Sequence, residues 1–166
     1  MAEFYTEPEW LEIVREQERV LRPERFTRKD ALAVGLEIVR LADQRYHGAA
    51  AAAILEDETV IFSYKMEGTG LENDWWMRRK LAVSRRTGMS SLRACLEEKA
   101  GAAILPEDEA RRADLAVCGG CFPLRMRDGE LRGYLLVSGL HHQEGHQVIA
   151  DALAARLGTR VGNIAG

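Results

Sequence analysis

Apolar side chains recur along the chain at two different spacings, and the change of spacing marks the predicted elements. Near the start, apolar residues three or four positions apart predict two helices. The first helix follows the capping segment at residues 6–9, and its inner stripe runs from Trp10 to Leu21 and includes Gln17. The second helix opens at residues 27–30, with a stripe from Ala31 to Ala42.

Two later segments alternate with a period of two and predict β-hairpins. The first hairpin pairs residues 49–55 with residues 59–66 across an acidic turn. The second pairs residues 122–127 with residues 130–138 across Asp128-Gly129, a strong hairpin signal. A two-residue loop at this turn places Arg125 opposite Arg132, where the two like charges repel unless they are solvated or bridged by an anion.

The remaining segments return to helical spacing. We expect a third helix, capped by Asn73 or Asp74 and ending near Thr87, and a short helix after Ser90-Ser91. A loop or helical turn follows Pro106, and a last helix spans about residues 143–157. The order α-α-β-β-α-α-β-β-α predicts an α/β chain of the α+β type, with one antiparallel sheet flanked by helices.

Composition narrows the class of protein. The chain has 166 residues, 46% of them hydrophobic and 30% charged, which fits one domain over residues 1–166 with residues 1–24 as a helical arm. A net charge of −3 argues against nucleic acid or an anionic membrane as a partner. The start is acidic, unlike a signal peptide, and the longest aliphatic run is too short to cross a bilayer. With an odd cysteine count of three, these features predict a cytoplasmic protein.

The first candidate for chemistry is the segment at residues 68–80. Its two glycines leave backbone amides open just before a helix, as an anion-binding turn requires, although Glu72 opposes an anion there. One turn later, Trp76 beside Arg79 and Lys80 suits a flat anionic ligand. The alternative interpretation is a tight turn with an ordinary cap, a core tryptophan and solvated cations.

The second candidate is the Cys118-Gly119-Gly120-Cys121 segment. Such a pair can form a redox-active disulfide, or half of a zinc site with His142 and His146. It can equally be a glycine turn between small buried thiols. We expect the pair to lie beside the ligand site without structural zinc, with Cys118 the more accessible thiol. The sequence shows no catalytic motif, so catalytic residues stay unassigned.

These pieces occur in an order that resembles the haem-degrading-domain (GlcG/HbpS-like) family, in its cytosolic branch. The resemblance covers about residues 26–157. The motifs that carry it are Gly68-Thr69, Asn73, Trp76 with Arg79-Lys80, Ser90-Ser91, Gly119-Gly120 with Phe122-Pro123, Val137-Ser138-Gly139-Leu140 and His146.

The resemblance implies a profilin-like fold with α-β-α layers over residues 25–166, assembly into homo-oligomers, and binding of haem, iron or a related cofactor in some relatives. It also implies a set of ligand-binding residues: Gly68, Thr69, Asn73, Trp76, Arg79, Lys80, Cys118, Gly119 and Gly120. No metal ligand is assigned.

The chain departs from the family pattern at two places. Met89 stands where a histidine often precedes the two serines, and Cys118 and Cys121 stand where relatives resemble His-Gly-Gly-Gly. These changes weaken the case for histidine ligation, although a thiolate at Cys118 could ligate iron instead.

Three functions follow as hypotheses. The first is a binding protein for a small, flat anionic ligand such as haem. The second is a non-enzymatic oligomeric scaffold or partner-binding module, whose acidic N-terminal helix packs on a neighbouring subunit. The third is a small enzyme for an anionic metabolite, which requires Arg79 and Lys80 to converge with a carboxylate such as Glu72.

Overall fold

The structure is a computed structural model that describes residues 6–165. Residues 1–5 of the predicted arm, with the acidic start, and residue 166 lie outside the described residues. Residues 6–165 form an α+β fold, as predicted. The helices are α1 (Glu7–Val20), α2 (Arg28–Gln44), α3 (Leu71–Thr87), α4 (Ser91–Lys99), α5 (Glu109–Arg112) and α6 (His142–Leu157). The strands are β1 (Ala51–Glu56), β2 (Thr59–Lys65), β3 (Cys121–Arg125) and β4 (Leu131–Ser138).

The four strands form one antiparallel sheet in the order β2-β1-β4-β3. Both predicted hairpins are present, and β1 joins them by pairing with β4. Leu124 lies opposite Gly133 as predicted, but the predicted pairing of Arg125 with Arg132 is wrong. The register shifts between Leu124 and Arg125, which places Arg125 opposite Leu131. The irregularity keeps the two arginines from facing each other across the ladder.

Helices cover both faces of the sheet. On one face α2 and α6 bury the main core, which includes Ile54 and Phe122. On the other face α3 packs on β3 and β4 through residues such as Met77 and Leu136. Neighbouring strand residues therefore serve opposite layers, as the period of two requires. None of the helices formed by residues 6–165 is long and apolar enough to span a membrane.

The first helix is docked within the chain. Leu11 and Val14 of α1 pack against Leu92 and Leu96 of α4. This contact occupies the apolar stripe of α1 within the chain, and packing of the helix on a neighbouring subunit stays a prediction.

Candidate functional site

A groove of about 460 Å³ opens where the end of β4 meets α3 and the start of α6. Ligand sites in proteins commonly measure roughly 300–1,000 Å³. The residues that line it come from three separate segments of the chain, at positions 68–80, 118 and 138–142. They are Gly68, Glu72, Asn73, Trp76, Lys80, Cys118, Ser138, Gly139, Leu140 and His142.

The α3 wall of the groove is built on a glycine cap. The helix begins at Leu71 with Gly70 as its N-cap, so the prediction that Asn73 or Asp74 caps it is wrong. Asn73 lies in the first turn, where its side-chain oxygen accepts a hydrogen bond from the Gly70 amide at 3.0 Å. Its side-chain nitrogen donates to the Ser138 hydroxyl at 3.1 Å and ties α3 to the end of β4. Asn73 therefore holds the first turn of α3 against the end of β4, where the groove opens.

The opposite wall depends on the close approach of the segment before β3. A Cβ on Gly119 would lie 2.1 Å from the carbonyl oxygen of His142, and a Cβ on Gly120 would lie 2.4 Å from that of Val137. Gly120 also has a φ of +131°, which other residues rarely adopt. The two glycines let Cys118 reach the groove while Cys121 enters the core, where burial raises its pKa to about 12.

Lys80 crosses the inner end of the groove. Its side chain is 6% exposed, and its amine donates a hydrogen bond to the carbonyl oxygen of Val137 at 3.0 Å. Burial lowers the pKa of Lys80, and the neighbouring thiols of Cys118 and Cys121 oppose that shift. Lys80 is thus a buried amine with one face toward a ligand-sized space.

Arg79, one residue earlier, is directed elsewhere. Its guanidinium carbon lies 4.3 Å from the ring centre of Trp75 and 5.3 Å from that of Trp76. The same group donates to the carbonyl oxygens of Ala113 and Leu115 at 3.1 and 3.0 Å. Arg79 therefore anchors the segment after α5 and does not line the groove. The enzyme hypothesis requires Arg79, Lys80 and Glu72 to meet, but only Lys80 and Glu72 line the groove.

The two histidines of α6 have different environments. His142 lines the groove, and its Nδ1 accepts a weak hydrogen bond from the Gly119 amide at 3.4 Å. Burial, with help from the charges of Lys99 and Lys80, lowers the pKa of His142, which favours the neutral form of its ring. His146 lies one turn deeper, fully buried and bonded to Gln17. Within the described part of the chain, no three His, Cys, Asp or Glu side chains form a group able to hold a metal ion.

The groove unites part of the predicted ligand-binding set. Gly68, Asn73, Trp76, Lys80 and Cys118 line it. The other four members do not line it. Thr69 bonds to the Met66 carbonyl, Arg79 is stacked on tryptophan, and Gly119 and Gly120 provide close backbone contacts.

Sequence reasoning missed residues at the end of β4 and directly after it. Ser138, Gly139, Leu140 and His142 line the groove but were not in the predicted set. The Gly139 break after a buried strand was a usable signal, because loops at strand ends commonly carry ligand sites.

Comparison with known proteins places the chain in a family. Residues 26–154 match the family described as haem degrading protein HbpS-like, and the chain belongs to this family, as its motifs predicted. A UPF0303 protein of Brucella anthropi is 30% identical over 148 residues, which span 89% of this chain and 86% of that protein.

Solved structures share the fold. The crystal structure of Ybr137w protein matches with a TM-score of 0.75 and 26% identity, over 87% of this chain and 86% of that one. A PduOC:heme complex matches with a TM-score of 0.63 and 20% identity, over 83% of this chain and 97% of that one.

The groove residues of this chain suit a haem-sized anionic ligand. Trp76 offers an aromatic face, and Lys80 offers an N–H donor that forms no ion pair with a carboxylate of the described residues. His142 adds a neutral imidazole, the commonest haem-iron donor. Glu72 lines the same groove, and its carboxylate opposes an anion there.

Proposed function

We propose that this protein binds a small, flat anionic ligand, haem or a related cofactor, in the groove between α3, the end of β4 and the start of α6. The single observation that carries the proposal is the convergence of Trp76, Lys80 and His142 on one ligand-sized space. Trp76 would stack on the ring of a bound haem, Lys80 would donate a hydrogen bond to one of its carboxylates, and the imidazole of His142 would be the residue that holds the iron. Bound haem would supply the redox and oxygen chemistry of its iron.

The family supports this proposal. A relative with the same fold has been crystallised with haem, and the family model carries the description haem degrading protein. The proposal is limited to binding and does not include degradation of the ligand. We also propose that the protein works in the cytoplasm as a homo-oligomer.

The test is titration of the purified protein with haemin, followed at the Soret band. We expect saturable binding at micromolar haemin, weakened about tenfold or more when Trp76→Ala removes the stacking surface. His142→Ala should shift the Soret maximum by removing the iron donor. Trp10→Ala, a change in the α1–α4 contact far from the groove, is the matched control and should bind normally.

Two results would contradict parts of this proposal. Absence of a Soret change at micromolar haemin refutes haem as the ligand. If the Soret band shifts in Cys118→Ser but not in His142→Ala, the iron ligand is the thiolate of Cys118, and the assignment of His142 is refuted.

A further inference from the structure

Lys80 differs from the other three lysines of the chain in its surroundings. Lys29, Lys65 and Lys99 are exposed, and the last two form ion pairs with Asp74 at 2.7 Å and Glu7 at 2.8 Å. Lys80 is 6% exposed, and none of the ion pairs among residues 6–165 involves it. The chain therefore holds one buried amine and three exposed ones.

The described residues offer the amine of Lys80 a single protein acceptor, and the rest of its surroundings are backbone and the groove. An ammonium group has three N–H donors and needs acceptors for all of them when buried. In the described chain the amine of Lys80 has one acceptor, the carbonyl oxygen of Val137. Its other neighbours include the glycine backbone, since a Cβ on Gly120 would lie 2.8 Å from Nζ. A neutral amine satisfies this site with one N–H and keeps a lone pair.

The groove brings that amine to the place where a small molecule can sit. Lys80 lines the groove together with Trp76, Cys118 and His142. We propose that Lys80 is a nucleophile that captures a small aldehyde or ketone in this groove as an imine. The proposal shares the groove with haem binding but does not depend on haem as the ligand.

The reaction balances without any oxidant or reductant. The lone pair of Lys80 Nζ attacks the carbonyl carbon, a C–N bond forms, and the carbonyl π electrons move to oxygen. One proton passes from nitrogen to that oxygen, and the neutral imidazole of His142 on the same groove is the group that can carry it. The hydroxyl then leaves as water with the second proton, and C=N replaces C=O. Burial lowers the pKa of Lys80, which supports this role by increasing the neutral fraction of the amine.

The three exposed lysines allow a sharp internal comparison. The probe is 4-carboxybenzaldehyde, a flat anionic aldehyde, added to the full-length protein with cyanoborohydride, which reduces an imine to a stable amine. Peptide mass spectrometry then gives the rate of modification at each lysine. Because burial lowers the pKa of Lys80 and the groove can hold the aldehyde beside its amine, we expect Lys80 to react severalfold faster than Lys29, Lys65 or Lys99 near pH 7.

Variants separate chemistry from folding. Lys80→Arg keeps a cation, cannot form the imine, and should abolish the fast modification while the exposed lysines react as before. Lys80→Met is a second variant that cannot form the imine, and it leaves no charge in the buried position. Thermal melts of both variants, compared with that of the unmodified protein, show whether they are folded. His142→Gln should slow modification of Lys80 and leave the exposed lysines unchanged.

Modification of Lys80 at or below the rate of the exposed lysines would overturn the proposal. The proposal would also be overturned if the rate of Lys80 modification depended on pH in the same way as the rates of the exposed lysines. Haemin titration on the same samples keeps the two proposals apart. Fast labelling of Lys80 without a Soret change supports imine capture and refutes haem binding. A Soret change without fast labelling supports haem binding and refutes imine capture.

Discussion

The side-chain oxygen of Gln17 in α1 accepts a hydrogen bond from Nε2 of His146 in α6 at 2.6 Å, and both side chains are fully buried. The direction of this bond is fixed because the Gln17 amide nitrogen donates elsewhere, to Gln147 at 3.0 Å and to the Gly162 carbonyl at 2.7 Å. Nε2 of His146 therefore carries the proton. Its Nδ1 has no hydrogen-bond partner among the described residues, as an unprotonated nitrogen permits.

We predict that Gln17→Leu lowers the free energy of unfolding by roughly 1–3 kcal/mol, because it leaves the buried N–H of His146 without its hydrogen-bond partner. Urea denaturation of the variant and the unmodified protein measures the change. Gln44→Leu, an exposed glutamine in α2, is the control and should shift stability by less than about 0.5 kcal/mol. Equal midpoints for Gln17→Leu and the unmodified protein would show that this network contributes nothing.

His146 predicts a pH dependence of stability. Burial lowers the pKa of His146 from 6.5 to about 3. As the pH falls below 6.5, the unfolded chain binds a proton that the folded chain does not, so stability is lost progressively down to about pH 3. The contribution is fully present above 6.5, and its slope is at most about 1.4 kcal/mol per pH unit.

The variant His146→Gln isolates this effect, because its amide can still donate to Gln17 but does not titrate. We expect the urea midpoint of the unmodified protein to fall more between pH 7 and pH 5 than that of His146→Gln. Parallel midpoints in the two proteins would mean that His146 does not titrate differently on unfolding.

The glycine segment before β3 should tolerate no side chain at its second position. Gly120→Ala places a Cβ 2.4 Å from the Val137 oxygen at a φ of +131°, and we expect a loss of more than about 2 kcal/mol of stability. Gly145→Ala, near the same segment, meets only ordinary contacts at 3.8 Å within α6 and should be neutral or stabilising. Comparable thermal melts for the two variants would contradict the close approach.

The three cysteines should differ in reactivity. Cys118 is partly exposed, whereas Cys95 and Cys121 are buried and burial raises the pKa of both thiols. We expect one thiol to react quickly with a disulfide reagent in the native protein and all three to react in urea. Cys118→Ser should remove the fast phase and Cys95→Ser should keep it. A fast phase that persists in Cys118→Ser would place the reactive thiol elsewhere.

Self-association stays a prediction, and the exposed apolar residues suggest where it occurs. Leu32 and Leu36 of α2 and Val60 and Tyr64 of β2 are each more than half exposed, and β2 is an edge strand. We expect light scattering to detect an oligomer that Val60→Lys with Tyr64→Lys weakens. Leu131→Lys, on β4, should leave it intact. A protein that stays monomeric at high concentration would contradict the prediction of self-association.

Local pattern predicted much of the fold because periodicity is a property of neighbouring residues. The period of two in residues 122–138, with Asp128-Gly129 between, was sufficient to predict a hairpin. The bulge at Arg125 escaped prediction because nothing local distinguishes a regular ladder from a shifted one.

The sequence by itself determined the α+β class, the family and the residue types on α3 that line the groove, including Trp76 and Lys80. Only the tertiary structure decided which of them meet. Arg79 and Lys80 are adjacent in sequence, yet one stacks on tryptophan outside the groove and the other is buried inside it. Their separation depends on the strand order, which brings the end of β4 and His142 to α3 through contacts between residues more than fifty positions apart.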